Sequence, residues 1–210
     1  MEHSLHSGAP TAMIRPRDAH RFEVFSPKLS RRLTIYRRVV LDAWMLIESD
    51  PSVVTFSERP GTVLIGERYH QVDFSVRYAD KAELLIAADS PGDEDADVRV
   101  TIDMSALPVR FIPHVELVAA RTWIDNWHRM LPSIVATRGL ISKSLLTGIE
   151  RFANKPQQLV TIEREFSMGD PTVVRAATFR LLHEGRLSAP DLHVASLSLL
   201  TPFVMAGAPS

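Results

Sequence analysis

The chain has no cysteine. That absence excludes disulfides, thiolate metal sites and cysteine nucleophiles, and it fits a reducing cytoplasm. No apolar run approaches the roughly 18 to 20 residues that cross a bilayer as a helix, and the N-terminus lacks the apolar core of a secretory signal. A cytoplasmic protein without a membrane partner is the expectation. There is no G-x-S-x-G elbow, no glycine-rich phosphate loop and no internal repeat. The eight histidines are scattered. His3 and His6 fall in a segment without periodicity, and none of the others forms a convincing helical metal pair.

What is present begins with size: 210 residues, 45% of them hydrophobic, can bury one good core or two small ones. A net charge of −1 does not announce a nucleic-acid binder, but the average hides an asymmetry. Residues 1–40 carry eight Arg/Lys against three Asp/Glu, residues 41–120 six against fifteen, and residues 121–210 ten against seven. The basic arm (Arg15, Arg17, Arg21, Lys28, Arg31, Arg32, Arg37, Arg38) could lie along a phosphate backbone, or be a solvated tail.

Residues 1–24 read as a flexible basic leader. Ile35, Tyr36, Val39, Val40, Ala43, Trp44 and Ile47 form an apolar stripe of helical period that stops before Asp50-Pro51, since proline disfavours helix at the residue preceding it. Val53–Phe56, the breaker Arg59-Pro60-Gly61, Thr62–Ile65, Tyr69–Tyr78 and Glu83–Ala88 then predict short strands in an antiparallel meander. An acidic loop (residues 91–97) precedes further strands at Val98–Met104 and Val109–Ile112. From Val115 the period turns helical. Trp123, Trp127, Met130 and Leu131 share a face that Pro132 interrupts, and Ile141–Phe152 is a second helix. A third opens at Asp170-Pro171 and closes at Gly185, with His183 on an exposed side. A small hairpin follows, so helices and then a hairpin give the outline of a winged helix-turn-helix.

Metal-dependent cleavage of a phosphodiester needs oxygen ligands that hold hard cations beside the phosphate, and a basic group that stabilises charge or orients water. One layout puts an Asp on one strand, an acid-x-Lys on the next, where the period of two brings both to one face, and a Glu on the preceding helix. In this chain LDAWMLIESDPSVVTFSERP (41–60), HQVDFSVRY (70–78) and ELLIAAD (83–89) occur in the order of such a layout. They resemble the N-terminal domain of the TnsA-type transposon endonucleases, and PTVVRAATFRLLHEGRLSAPDLHVASLSLLTPF (171–203) resembles that family's winged-helix ending. The resemblance implies an α/β fold: a restriction-endonuclease-like mixed sheet backed by helices over 25–120, then a small helical winged-helix domain over 121–210.

The same resemblance implies double-stranded DNA as partner, with a transposase and an ATPase regulator of the same element, and Mg²⁺ or Mn²⁺ if the enzyme is active. Asp73 matches the family's strand aspartate. The helix glutamate falls at Val40, the next acid at Ala87 and the lysine at Asp89, so a degenerate catalytic site is expected and no cofactor. Asp73 with Asp89 is the residual catalytic and metal-binding pair. Asp42 lies about 200° around the helix from Val40 and should face away. Arg31, Arg32, Arg37, Arg38, Arg175, Arg180 and Arg186 are the candidate DNA contacts, with the third helix of the C-terminal part approaching the major groove. Three functions follow: a catalytically degenerate transposase subunit that binds DNA or partner proteins, an active endonuclease making the 5′-end cuts, or a protein-interaction subunit without DNA contact.

Overall fold

The computed structural model describes residues 20–88, 100–101, 107–167 and 170–207. The chain divides into two compact units, Met1–Ile47 with Ser52–Val118, and Glu48–Pro51 with Ala119–Ser210. Both belong to a mixed α/β protein, and no helix among the described residues is long and apolar enough to cross a membrane.

The first unit opens with a hairpin, β1 (Phe22–Ser26) paired antiparallel with β2 (Arg31–Ile35). Residues 22–24, which the sequence places in a flexible leader, are therefore strand, and Ile35 ends a strand rather than starting the helix. Helix α1 spans Arg38–Ser49 and stops at Asp50-Pro51, as the proline dictates. Its apolar stripe is real from Val40 onward: Val40, Leu41, Ala43, Trp44 and Ile47 are buried.

A five-stranded sheet follows, of order β6-β3-β4-β5-β7. Here β3 is Thr55–Ile65, β4 is Arg68–Arg77, β5 is Ala82–Ala87, β6 is Val100–Thr101 and β7 is Val109–Ile112. Two expectations need correction. Arg59-Pro60-Gly61 does not break the strand; β3 runs through it with a bulge, because Glu58 pairs with Phe74 and Gly61 with Val72, one residue too many on the β3 side. The sheet is also not a pure antiparallel meander, since β7 joins β5 in parallel (Leu84 opposite Val109 through Ala87 opposite Ile112). Val63, Ile65, Val72, Leu84 and Ile86 form a buried cluster on which Leu107, Val109 and Phe111 pack. β4 supplies Val72, Phe74 and Val76 to the interior at the strand period of two.

In the second unit, α3 (Arg121–Ala136) carries Pro132 inside it, so that proline does not interrupt the helix. Burial of Met130, Leu131 and Ile134 around it offsets the lost backbone bond. Helix α2 (His114–Ala119) precedes it in the chain and, up to Val118, belongs to the first unit. Next come α4 (Lys143–Phe152), capped by the Ser142 hydroxyl, β8 (Gln157–Gln158) and α5 (Leu159–Phe166). Then follow α6 (Thr172–His183), β9 (Leu187–Ser188), a single 3₁₀ turn over Pro190–His193, and β10 (Pro202–Met205). α5 is an addition to the sequence reading. The three short strands form a sheet of order β8-β10-β9. Asp170 accepts a hydrogen bond from the Thr172 N–H at 2.8 Å, and Gly185, at φ +69°, ends α6.

Helix α6 is the centre of this unit. It packs against α3, α4, α5 and β9, and Val174, Ala176–Phe179 and Leu181–His183 are buried. His183, expected on an exposed side, is 7% exposed and hydrogen-bonded to Glu48 at 2.9 Å, with its ring against Trp127. The side of α6 that stays partly open carries Thr172, Val173, Arg175 and Arg180.

Candidate functional site

Along one side of the first unit lies a cleft of about 370 Å³. It is built from the end of β2 and the turn into α1 (Thr34–Arg37), from Val40 on α1, from the β3 bulge (Glu58, Arg59), and from β4, β5 and β7. The bulge explains why Glu58 and Arg59 reach it. Arg59 sits at φ +48°, a left-handed conformation that a bulge imposes, and its guanidinium donates to the Thr34 carbonyl at 3.0 Å.

Val40, Asp73 and Ala87 all line this cleft. The three positions at which the resemblance puts a helix acid, a strand aspartate and a second acid are therefore brought together, and two of the three side chains are hydrocarbon. Asp42 is absent from the lining and pairs with Arg38 one turn back, at 3.0 Å. Glu83 accepts from the Tyr78 hydroxyl at 2.8 Å. Asp89 lies outside the described residues.

Asp73 is itself engaged. Arg37 Nη2 donates to Oδ1 at 2.9 Å and to Oδ2 at 2.8 Å, and the Ala87 N–H donates to Oδ2 at 2.9 Å. The carboxylate side chain is 8% exposed and the arginine 37%. A guanidinium thus already neutralises the carboxylate that a divalent ion would need. Val40 and Ala87 contribute no oxygen side chain, so among these three positions Asp73 alone offers the oxygen ligands that Mg²⁺ or Mn²⁺ takes. Among the described residues no group of three His, Cys, Asp or Glu side chains could hold a metal.

Six of the seven arginines proposed for DNA are in ion pairs, and their partners sort them. Arg31, Arg37, Arg38 and Arg175 pair with Glu58, Asp73, Asp42 and Glu163, whose side chains are 7, 8, 9 and 9% exposed. Leaving any of these to contact a phosphate would take a cation from a buried carboxylate, which costs more than exchanging a solvated pair. Arg180 and Arg186 pair with Glu184 and Glu150, which are 32 and 26% exposed. Exchange of such surface pairs costs about 0–1 kcal/mol. Arg32 is exposed, with no carboxylate partner among the described residues. Hydrogen bonds to Glu58, Glu163 and Glu150 raise the pKa of the Arg31, Arg175 and Arg186 guanidinium groups. The Glu150 carboxyl is held below its ordinary value by the same bond from Arg186.

Sequence reasoning singled out Asp73, Val40 and Ala87, which line one cleft, but it missed the cation. Arg37 stands among the proposed phosphate contacts because no local spacing joins it to a carboxylate 36 residues away. No protein-family profile and no curated protein matches this chain.

Proposed function

We propose that the chain is a catalytically degenerate, TnsA-like subunit of a bacterial heteromeric transposase, which holds DNA or its partner proteins and does not cut. One observation carries this reading: the strand aspartate of a nuclease-like layout is bound by an arginine, with valine and alanine where further ligands belong. The restriction-endonuclease-like assignment of the first unit draws support from a mixed sheet preceded by a helix. The winged-helix assignment of the second draws it from the order helix, strand, helix, helix, strand, strand in α4 to β10. Partners in this reading are double-stranded DNA, a transposase and an ATPase regulator.

A protein-interaction subunit without direct DNA contact is the second reading. The pairing of Arg31, Arg37, Arg38 and Arg175 with buried carboxylates favours it. An active endonuclease that uses Asp73 and Asp89 with Mg²⁺ or Mn²⁺ would first have to displace Arg37.

The deciding experiment incubates purified protein with supercoiled plasmid, Mg²⁺ or Mn²⁺ and any partner transposase. No nicking above background is expected. Nicking that requires metal and disappears in Asp73→Ala would overturn the degenerate reading. A gel-shift of duplex DNA by the isolated chain separates the first reading from the second.

A further inference from the structure

At about 370 Å³ the cleft of the first unit falls within the size range of small-ligand sites, roughly 300–1,000 Å³. Most of its wall is hydrocarbon, from Ile35, Val40, Phe74, Ile86, Ala87 and Phe111. The carboxylates and guanidinium groups that line it all have partners within the protein. Asp73 holds Arg37, Glu58 accepts from Arg31 at 2.7 Å, and Arg59 donates to the Thr34 carbonyl at 3.0 Å. A ligand that relied on charge would have to compete with these bonds.

The uncommitted lining groups are a phenol, an imidazole and an amide oxygen. Neither the Tyr36 hydroxyl nor the His70 imidazole makes a hydrogen bond with any described residue, although both residues are half-buried. Gln71 donates from Nε2 to the Gly61 and Val72 carbonyls at 2.7 and 3.2 Å, which leaves its amide oxygen an acceptor with no donor among the described residues. His70 meets Phe111 edge to face, ring centres 6.2 Å apart, so its orientation is set by packing. Polar groups left without partners at the wall of a cavity are suited to bonding something within it.

An aliphatic ligand would leave those three groups unbonded, and a sugar would set hydroxyls against hydrocarbon walls. A flat, uncharged heteroaromatic ring suits both features: its faces meet apolar walls and its edge carries donors and acceptors. We infer that this cleft is a binding site for an uncharged nucleobase, presented by a free nucleoside or by an unpaired nucleotide of a DNA strand. The edge of the base bonds Tyr36 and His70, and an N–H on it donates to the Gln71 oxygen. Recognition stops at the base, so a phosphate adds little. The inference goes beyond the proposed function, because a free nucleoside would fill the cleft whether or not the chain serves a transposase.

The test is an NMR titration of the isotope-labelled full chain with deoxyadenosine, deoxycytidine and thymidine, their 5′-monophosphates, deoxyribose, and indole, a flat ring without an edge acceptor. At least one deoxynucleoside is expected to move the amide signals of Tyr36, His70 and Phe111, and to bind about tenfold or more tighter than deoxyribose or indole. Its monophosphate should match it within about threefold. Tyr36→Phe and His70→Phe, the second keeping a ring against Phe111, should each weaken binding about fivefold, the loss of one hydrogen bond. Displacement of the nucleoside by a single-stranded oligonucleotide but not by its duplex would assign the base to a DNA strand, and displacement by neither would assign it to the free nucleoside. Unmoved signals at those three amides with every nucleoside at millimolar concentration would overturn the inference. So would displacement by the duplex, a monophosphate about tenfold tighter than its nucleoside, or unchanged affinity in the Tyr36→Phe/His70→Phe double variant.

Discussion

Arg37 Nη2 lies 2.9 and 2.8 Å from the two carboxylate oxygens of Asp73, and the carboxylate is 8% exposed. That contact places a permanent cation where a nuclease of this layout would recruit a transient one. The pair also ties β4 to the residue just before α1.

Removing Arg37 should cost more than removing a surface arginine, because Asp73 would stay buried with less to neutralise it. Arg37→Ala is expected to destabilise by about 2 kcal/mol, below the range for fully buried pairs since the arginine is partly solvated. In a double-mutant cycle with Asp73→Ala the losses should be less than additive, with a coupling of about 1–2 kcal/mol. Urea unfolding of the four proteins measures it.

Gly185 is at φ +69°, and a Cβ there would approach Pro51 Cβ to 2.7 Å. Both the left-handed backbone and the contact penalise a side chain. Gly185→Ala should lower stability by about 1–3 kcal/mol, readable as a fall in the thermal midpoint.

These two residues show what the sequence does and does not disclose. Gly185, the stop at Asp50-Pro51, and strands β4, β5 and β7 are legible because each rests on local chemistry: a positive φ, a proline, or β-branched alternation. The β1–β2 hairpin is not, since RRLTI carries two arginines and its Ile35 falls in helical register with α1. Pro132 misleads because tertiary packing overrides a local breaker. The burial of His183 is equally hidden, its partner Glu48 being 135 residues distant. At the site, Asp73, Val40 and Ala87 were identifiable by their order along the chain, whereas Arg37 as the neutralising partner needed the fold.

Acid should weaken the second unit through Glu150. A carboxylate whose folded pKa is depressed stabilises the fold above its unfolded value and loses that contribution as pH falls through the folded one. Glu150 lies below 4.5 because Arg186 bonds it. Glu150→Gln should therefore flatten the loss of stability below about pH 4.5, the ordinary value, and leave the neutral range without further slope. Urea midpoints measured from pH 3 to pH 7 would show a parallel decline in both proteins if the bond contributes nothing.

If duplex DNA is held, the arginines with solvated partners are the ones to hold it. Arg180→Ala and Arg186→Ala should each reduce the dependence of log affinity on log salt by about 1. Arg175→Ala should leave that slope alone and lower stability instead, because Glu163 loses its partner. Filter binding across a salt series distinguishes the two behaviours.

The claim on which the account rests is that Asp73 does not hold a divalent ion, and direct titration with Mn²⁺, followed by the loss of its free electron-spin resonance signal, tests it most closely. The account predicts that wild type and Asp73→Ala deplete free Mn²⁺ to the same extent. One Mn²⁺ bound per wild-type chain and lost in Asp73→Ala would contradict it.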